Sequence, residues 1–368
     1  MEQYHLRSNL CRRTLSKSSQ NPRLILTPPT RESCRMLYYR MSSIVSFPVH
    51  PLLENQSSTI SGDTCHGWLN TVDVVGTYYG LLCLLFRVCQ NYWFRLWNPA
   101  TRTISEELGI FHDNNALSGN FKFNFGCDIS AGTYKVVAYR IDQDEENYSS
   151  WRSQVQLFSI SDNCWRDIES FPLIPINRNN NGVHLSGTIN WLALSNYHHS
   201  LYYYELITYI EQFGIVSLDL STETYTQFLL PPGFDKVPRI QPTLVILLDC
   251  LCFSHDFKRT EIVIWQMKEF GVQESWTQLF KIDYFILQMN ILPLVINMEF
   301  LSYIDCNTPL LPLYLSKNGD TLILANYEDD QAIIYNGRDK SVDRIRISNT
   351  LCWFSSMNYV ESSLVSPL

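Results

Sequence analysis

The residues best suited to hold a metal are Cys250-x-Cys252-x-x-His255. Thiolate and imidazole are zinc ligands, but a tetrahedral site needs a second pair at suitable spacing, and none follows. Strand alternation also sets Cys250 and Cys252 on one face of one strand, the arrangement of a packed core pair. His198-His199 has no carboxylate or cysteine pair nearby and reads as a surface pair. Asp142, Asp144, Glu145 and Glu146 supply hard oxygens of the kind Ca2+ prefers, without the EF-hand spacing or its glycine. That run and Glu328-Asp329-Asp330 read as solvated acidic loops. Asn147-Tyr-Ser149 satisfies the glycosylation sequon, but the N-terminus shows no apolar run of a secretory signal. No G-x-S-x-G elbow, phosphate loop or H-E-x-x-H helix is present. The expectation is a chain that is not an enzyme, with no catalytic residue, metal or cofactor.

Aromatic contact residues are the remaining candidates. Tyr148 and Trp151 lie in Asp142–Gln154, and Tyr197, His198 and Tyr202 lie in Ser195–Gly214. Aromatic side chains on loops supply contact area at low entropic cost, and loops on a rigid scaffold carry much of protein recognition. These five residues are the candidate partner-binding set. The bland alternative is that they fold back over sheet edges.

The elements that would position them are short strands that repeat in order. One unit reads Gly182–Leu185, Thr188–Leu194, Ile215–Asp219 and Thr224–Phe228; these strands are labelled a to d. The same order fits Val72–Thr77 to Thr103–Leu108, Phe121–Cys127 to Cys164–Ile168, Thr243–Leu248 to Ser275–Ile282, and Leu311–Leu315 to Val342–Ile347. The b strands start at Gly80, Tyr134, Thr188, Cys250 and Asp320, at intervals of 54, 54, 62 and 70 residues. A four-strand unit recurring at such spacing suits sheets packed radially about an axis. The expected fold is all-β, a β-propeller-like array of five to six four-stranded antiparallel blades. Arg23–Leu26 and Met36–Phe47, with Leu351–Tyr359, would complete the sixth. The competing all-β reading is a pair of sandwiches. Helical periodicity is arguable only at Asn70–Tyr78 and Leu201–Gln212. In this topology the b–c and d–a connections crowd one rim, which would be the binding rim.

Composition agrees. Hydrophobic residues make up 45% of the chain and charged residues 17%, enough apolar surface for a large core and too little charge for bulk disorder. The net charge of −8 is uneven: residues 1–40 carry eight Lys/Arg against Glu2 and Glu32, and the rest of the chain carries −14. An acidic body argues against nucleic acid as a partner. The longest apolar runs, such as Gly80–Phe86, are far shorter than the roughly 20 residues of a spanning helix, so no membrane partner is expected. Eleven cysteines without framework spacing suit reduced thiols, hence a cytoplasmic or nuclear protein.

Several segments resemble the F-box-associated (kelch-like) domain of plant F-box proteins. They are Gly80-Leu-Leu-Cys-Leu84, Leu96-Trp-Asn-Pro-Ala-Thr-Arg102, Tyr134-Lys-Val-Val137, Val155–Ile160 with Cys164-Trp-Arg166, and Gly182-Val-His-Leu-Ser-Gly-Thr-Ile-Asn-Trp191. Ile215–Leu220, Leu230-Pro-Pro232 and Trp265 through Trp276 extend the likeness, so order and spacing agree from about residue 75 to about 345. Physically, Pro99 presets a turn that Asn98 can cap, and Trp97, Trp191 and Trp265 suit wedges between blades. The sequence departs from the family at Thr77-Tyr-Tyr79, where relatives carry a Ser-Cys-Asn-like triplet, and at the N-terminus. Residues 1–40 contain no Leu-Pro/acidic/Ile-Leu run, and the first Trp is Trp68, so no intact F-box is read there.

The resemblance implies a domain layout of a basic remnant over 1–22, a propeller-like domain over 23–360 and a tail over 361–368. It implies a protein-binding module like the substrate-recruiting half of an SCF (Skp1–cullin–F-box) ubiquitin ligase, and so a role in ubiquitination and turnover. The partner would be an unknown protein target; Skp1 enters by resemblance alone, against the missing F-box. Two alternatives stand beside it: an F-box-less fragment that binds targets without ligase coupling, and a lectin-like carbohydrate-binding propeller.

Overall fold

Leucine, β-branched and aromatic residues in short runs broken by Gly, Asn, Asp and Ser give strands with tight turns, and the strands gather in consecutive fours. The computed structural model of the protein describes residues 22–27, 42–54, 63–68, 72–113, 121–143, 151–176, 182–195, 209–238, 240–287, 310–326, 331–346 and 352–360. Within them six antiparallel sheets stand in a ring. The first blade runs Val72–Tyr78, Leu81–Val88, Asn91–Asn98 and Thr103–Ile104, and the second Lys122–Asp128, Thr133–Gln143, Trp151–Ser159 and Cys164–Asp167. In the third, Val183–Leu185 and Ile174–Pro175 share one edge of Thr188–Leu194, followed by Phe213–Asp219 and Tyr225–Phe228. The fourth is Thr243–Leu247, Cys250–Phe257, Glu261–Met267 and Trp276–Asp283, and the fifth Leu310–Leu315, Thr321–Asn326, Gln331–Asn336 and Val342–Arg346.

The sixth sheet joins the two ends of the chain. Cys352–Val360 pairs with Pro22–Thr27, which pairs with Ser42–Pro48, which pairs with Asp63–Trp68. Hydrophobic packing closes the circle. Each of six buried clusters belongs to two neighbouring blades; Ile25 and Ile44 of the sixth pack with Val72 and Trp97 of the first, and Leu24 and Phe47 with Leu313 and Ile323 of the fifth. A sheet with two apolar faces is covered on both only if the ring closes, which is why this sequence makes a propeller and not two sandwiches.

Helix is confined, among the described residues, to Val49–Glu54 and two single 3-10 turns, Ile210–Gln212 and Gln273–Ser275. The helical period at Asn70–Tyr78 gives way to the strand Val72–Tyr78, and residues 201–208 lie outside the described residues. The first blade's fourth strand is shorter than expected. Ser105 is buried, with its N–H on the Leu96 carbonyl (2.8 Å) and its Oγ accepting from Leu96 N–H (2.9 Å); the chain breaks there and resumes pairing at Leu108–His112.

Turns obey local chemistry. Asn98 Oδ1 accepts from Ala100 N–H (3.0 Å) and Asp219 Oδ1 from Ser221 N–H (2.7 Å), each closing the c–d turn of its blade; Asn336 does the same with Arg338 N–H (2.9 Å). Ser186-Gly187 is a two-residue hairpin loop with φ of 49° and 84°. The first blade's Tyr79-Gly80 copies it at 44° and 84°. Tyrosine is a poor occupant of the left-handed region and asparagine a good one. Tyr79→Asn should therefore raise stability by about 0.5–1 kcal/mol in urea unfolding; a loss would show that the Tyr79 ring outweighs the backbone strain.

Candidate functional site

The motif around Gly182 and Trp191 serves the joint between the second and third blades. Trp191 is 2% exposed, donates from Nε1 to Asn124 Oδ1 (2.9 Å), and meets Tyr139 and Phe171 edge to face. Asn124 in turn donates to the Gly182 carbonyl (3.1 Å). A Cβ on Gly182 would stand 2.4 Å from Trp191 Nε1, so only glycine lets the indole lie there. Asn190 Nδ2 spans the Val183 carbonyl and Thr188 Oγ1, and Cys127 N–H donates to His184 Nε2 (3.2 Å). Trp97 and Trp265 also pack in inter-blade clusters, as wedges should. The motif residues thus hold the ring together.

On the tight-turn rim of the same joint sits a buried ion network. Lys135 Nζ lies 3.1 Å from Asp128 and 3.3 Å from Glu223, and also donates to the Leu220 carbonyl. Arg166 pairs with Glu223 through Nε at 3.0 Å. Burial alone would raise the Asp128 carboxyl, but bonds from Ser221, the Ala131 N–H, Ser130 and Lys135 outweigh it and hold the group well below the usual carboxylate range. Asp128, Lys135 and Arg166 come from the second blade, and Leu220, Ser221 and Glu223 from the third. The network is a charged clamp.

The opposite rim carries the long connections. There Arg140, buried, pairs with Asp113 (3.0 Å) and Asp142 (2.8 Å), bonds Gln154 Oε1 (3.1 Å) and lies over the Phe121 ring. Asp142 is thus engaged by a cation within its own blade. Asp144, Glu145, Glu146, Tyr148, Tyr197, His198 and Tyr202 lie outside the described residues.

Trp151 is the candidate contact residue the structure does place, and it lies in a strand, not in the loop expected from sequence. Alternation of inward and outward residues runs from Leu157 back through Val155 and Ser153, and Trp151 falls on the inward side, opposite Gln143. It is half-buried against the cluster of Tyr139, Val155 and Trp191. Trp151→Ala should cost about 2 kcal/mol of stability by loss of packing. Thermal unfolding tests this; an unchanged Tm with lost partner binding would return Trp151 to the contact set.

Cys252 is buried beside Leu247 and Leu322, and burial first, then Cys250, pushes its thiol up to about 12. A thiol held protonated is a core residue in its chemistry as well as its position. His255 turns to the other sheet face, against Phe234 and Phe253.

A further polar pocket lies on the long-connection rim between the fourth and fifth blades, and nothing in the local sequence pattern points to it. Gln241, Thr243, Ser254, His255, Asp256 and Tyr284 line it together with Ile240, Ile262 and Leu310. Tyr284 Oη donates to Asp256 Oδ1 (2.9 Å), and Arg259 N–H to Asp256 Oδ2 (3.2 Å). Burial raises the Asp256 carboxyl, and these bonds draw it back.

A closed ring of antiparallel blades, with a charged clamp at one inter-blade joint and its long connections on one rim, defines a β-propeller. The family description "F-box associated beta propeller domain" matches residues 36–366. The chain belongs to that family. An F-box/kelch-repeat protein of Arabidopsis thaliana is 29% identical over 217 residues, 57% of this chain and 52% of the relative. The F-box protein CPR1 of Arabidopsis thaliana is 27% identical over 205 residues, 51% of this chain and 47% of the relative. The chain therefore spans about half the length of the curated relatives it matches. Among solved structures, the periplasmic gluconolactonase PpgL of Pseudomonas aeruginosa aligns over 90% of this chain and 84% of its own, at 10% identity and a TM-score of 0.46. No helix among the described residues is long and apolar enough to cross a membrane.

Proposed function

We propose that this chain is a non-catalytic, protein-binding propeller that selects targets for an SCF-type ubiquitin ligase in the cytoplasm or nucleus. Membership of the F-box-associated propeller family carries the reading, since relatives that share the propeller are named F-box proteins. The geometry is in keeping with it. The motif residues serve the inter-blade joints, which leaves the long-connection rim to carry specificity. Target contacts are expected on that rim, where 144–150 and 196–208 join strands b and c of adjacent blades and bring Tyr148, Tyr197, His198 and Tyr202.

Coupling to the ligase is a separable property. Residues 1–40 show no amphipathic period of an F-box, so these 368 residues by themselves should not recover Skp1 stoichiometrically. The test is a fusion of this chain to a functional F-box in a reconstituted ligase. Proteins labelled by proximity to the chain in plant cells should be ubiquitinated by the fusion and not by the F-box alone. No partner above the background of an unrelated propeller would overturn the reading. Stoichiometric Skp1 recovery by the chain itself would overturn the separation.

A further inference from the structure

Two side chains in the polar pocket between the fourth and fifth blades have bonding capacity that the protein itself does not meet. Gln241 is 6% exposed and Thr243 2%, and Gln241 Nε2, Gln241 Oε1 and Thr243 Oγ1 have no hydrogen-bond partner among the described residues. A buried polar group left so is costly, and interiors rarely hold three of them together. His255 also lines the pocket; its Nδ1 meets the Asp256 carbonyl at 3.1 Å, so in the neutral ring Nδ1 donates and the unpartnered Nε2 is an acceptor. Asp256 is already engaged, taking bonds from Tyr284 Oη (2.9 Å) and Arg259 N–H (3.2 Å). The free space among these residues is about 10 Å³, the room that one water molecule takes.

The unmet atoms and the volume together select the occupant. Gln241 lacks a partner for its donor and for its acceptor alike, whichever way the amide is turned. A metal or ammonium ion could meet only the acceptors, and a halide only the donors. An organic group that both donates and accepts needs more room than this. Water is small enough, donates two hydrogen bonds and accepts two. It can accept from Gln241 Nε2 and from the Thr243 hydroxyl and donate to Gln241 Oε1, within the range of about two to four partners that a buried water takes. His255 Nε2 is the lining acceptor left for its second proton.

We propose that this pocket is the site of one internal water molecule, held by Gln241 and Thr243. The site goes beyond the target-binding reading and does not depend on it. Gln241 lies in the connection that arrives from the third blade, and Thr243 opens the first strand of the fourth. The water ties the two together. Gln241 is therefore a positioning residue, which fixes the end of a long connection on the rim where target contacts are expected. A bridging water of this kind belongs to the fold, because its hydrogen bonds are nearly as good as direct ones.

Oxygen-17 relaxation dispersion of the solvent counts water molecules held inside the protein for longer than its tumbling time. Gln241→Leu, which removes two of the partners at similar volume, should lower that count by one. It should also lower Tm by roughly 2 °C, because the Thr243 hydroxyl is then stranded. Adding Thr243→Val should recover most of that loss, since both walls are then apolar. In the wild type, the Gln241 side-chain amide protons should show a cross-relaxation peak to the water resonance with the sign of a slowly tumbling pair, a readout that needs no variant to fold. A count unchanged by Gln241→Leu, or no such peak in the wild type, overturns the site. So does a rise in Tm for Gln241→Leu, the result for atoms that have no partner at all and whose removal relieves the fold. A double variant that loses the full sum of the two single losses also overturns it, since residues sharing one water must be coupled.

Discussion

Trp191→Ala is expected to lower the unfolding free energy by about 3–5 kcal/mol, the range for emptying a large aromatic site in a packed core. The indole fills the seam between two blades, so little can collapse into the space it leaves, and Asn124 Oδ1 is orphaned with it. Trp191→Phe keeps most of the packing but still strands Asn124, so an intermediate loss of about 1–3 kcal/mol is expected. Urea unfolding of both variants separates packing from hydrogen bonding. A cost under about 1 kcal/mol for the alanine variant would mean that the seam closes over the gap.

Lys135→Met should cost about 3–5 kcal/mol, because it leaves Asp128 buried beside Glu223 with its main cation gone. Combining it with Asp128→Asn should cost less than the sum of the single changes, since the two groups share one network. The pH dependence has a definite sign. The Asp128 carboxyl titrates lower in the folded protein than in the unfolded chain, so its contribution is full above the unfolded value, near 4, and declines as pH falls toward the folded one. Partly buried His184 adds an earlier phase. Burial lowers its folded pKa to about 4, against about 6.5 unfolded, so its contribution is complete above about 6.5 and is lost on acidification toward 4. Stability should therefore fall in two stages from neutral pH downward. His184→Phe should shrink the upper stage, which His255, also lowered by burial, shares, and Asp128→Asn should shrink the lower, which Glu223, lowered by Arg166, shares. A flat profile between pH 7 and 4 in the wild type would contradict the His184 assignment.

Much of this fold was legible before any coordinates, because blade formation is a local affair. Turn chemistry at Ser186-Gly187 and Asn98-Pro99, with alternation on either side, locates strands to within a few residues. Even ring closure could be read, from the strand-like runs near Arg23, Ser42 and Cys352 that had no blade of their own. Two kinds of feature could not. One depends on a single side chain reversing a local trend. Ser105 turns inward and breaks a strand, and Trp151 extends one through a polar stretch that looked like loop. The other depends on residues that only the ring brings together. Lys135 and Glu223 are 88 positions apart, and Gln241, Asp256 and Tyr284 come from a connection, a strand and the next connection. No period in the chain records those meetings, so the clamp and the polar pocket emerge from topology alone.

The shared sixth blade also imposes an order on synthesis. Five sheets can pair as soon as their own fifty or so residues leave the ribosome. The sixth must hold Pro22–Thr27 unpaired on one edge until Cys352–Val360 arrives. Until then the nascent chain carries an open sheet edge through almost the whole of its translation. This protein should lean on chaperones co-translationally in a way that a propeller built blade by blade from contiguous strands would not. Ribosome stalling before residue 352 should leave a particle that chaperones retain, and read-through to residue 360 should release it.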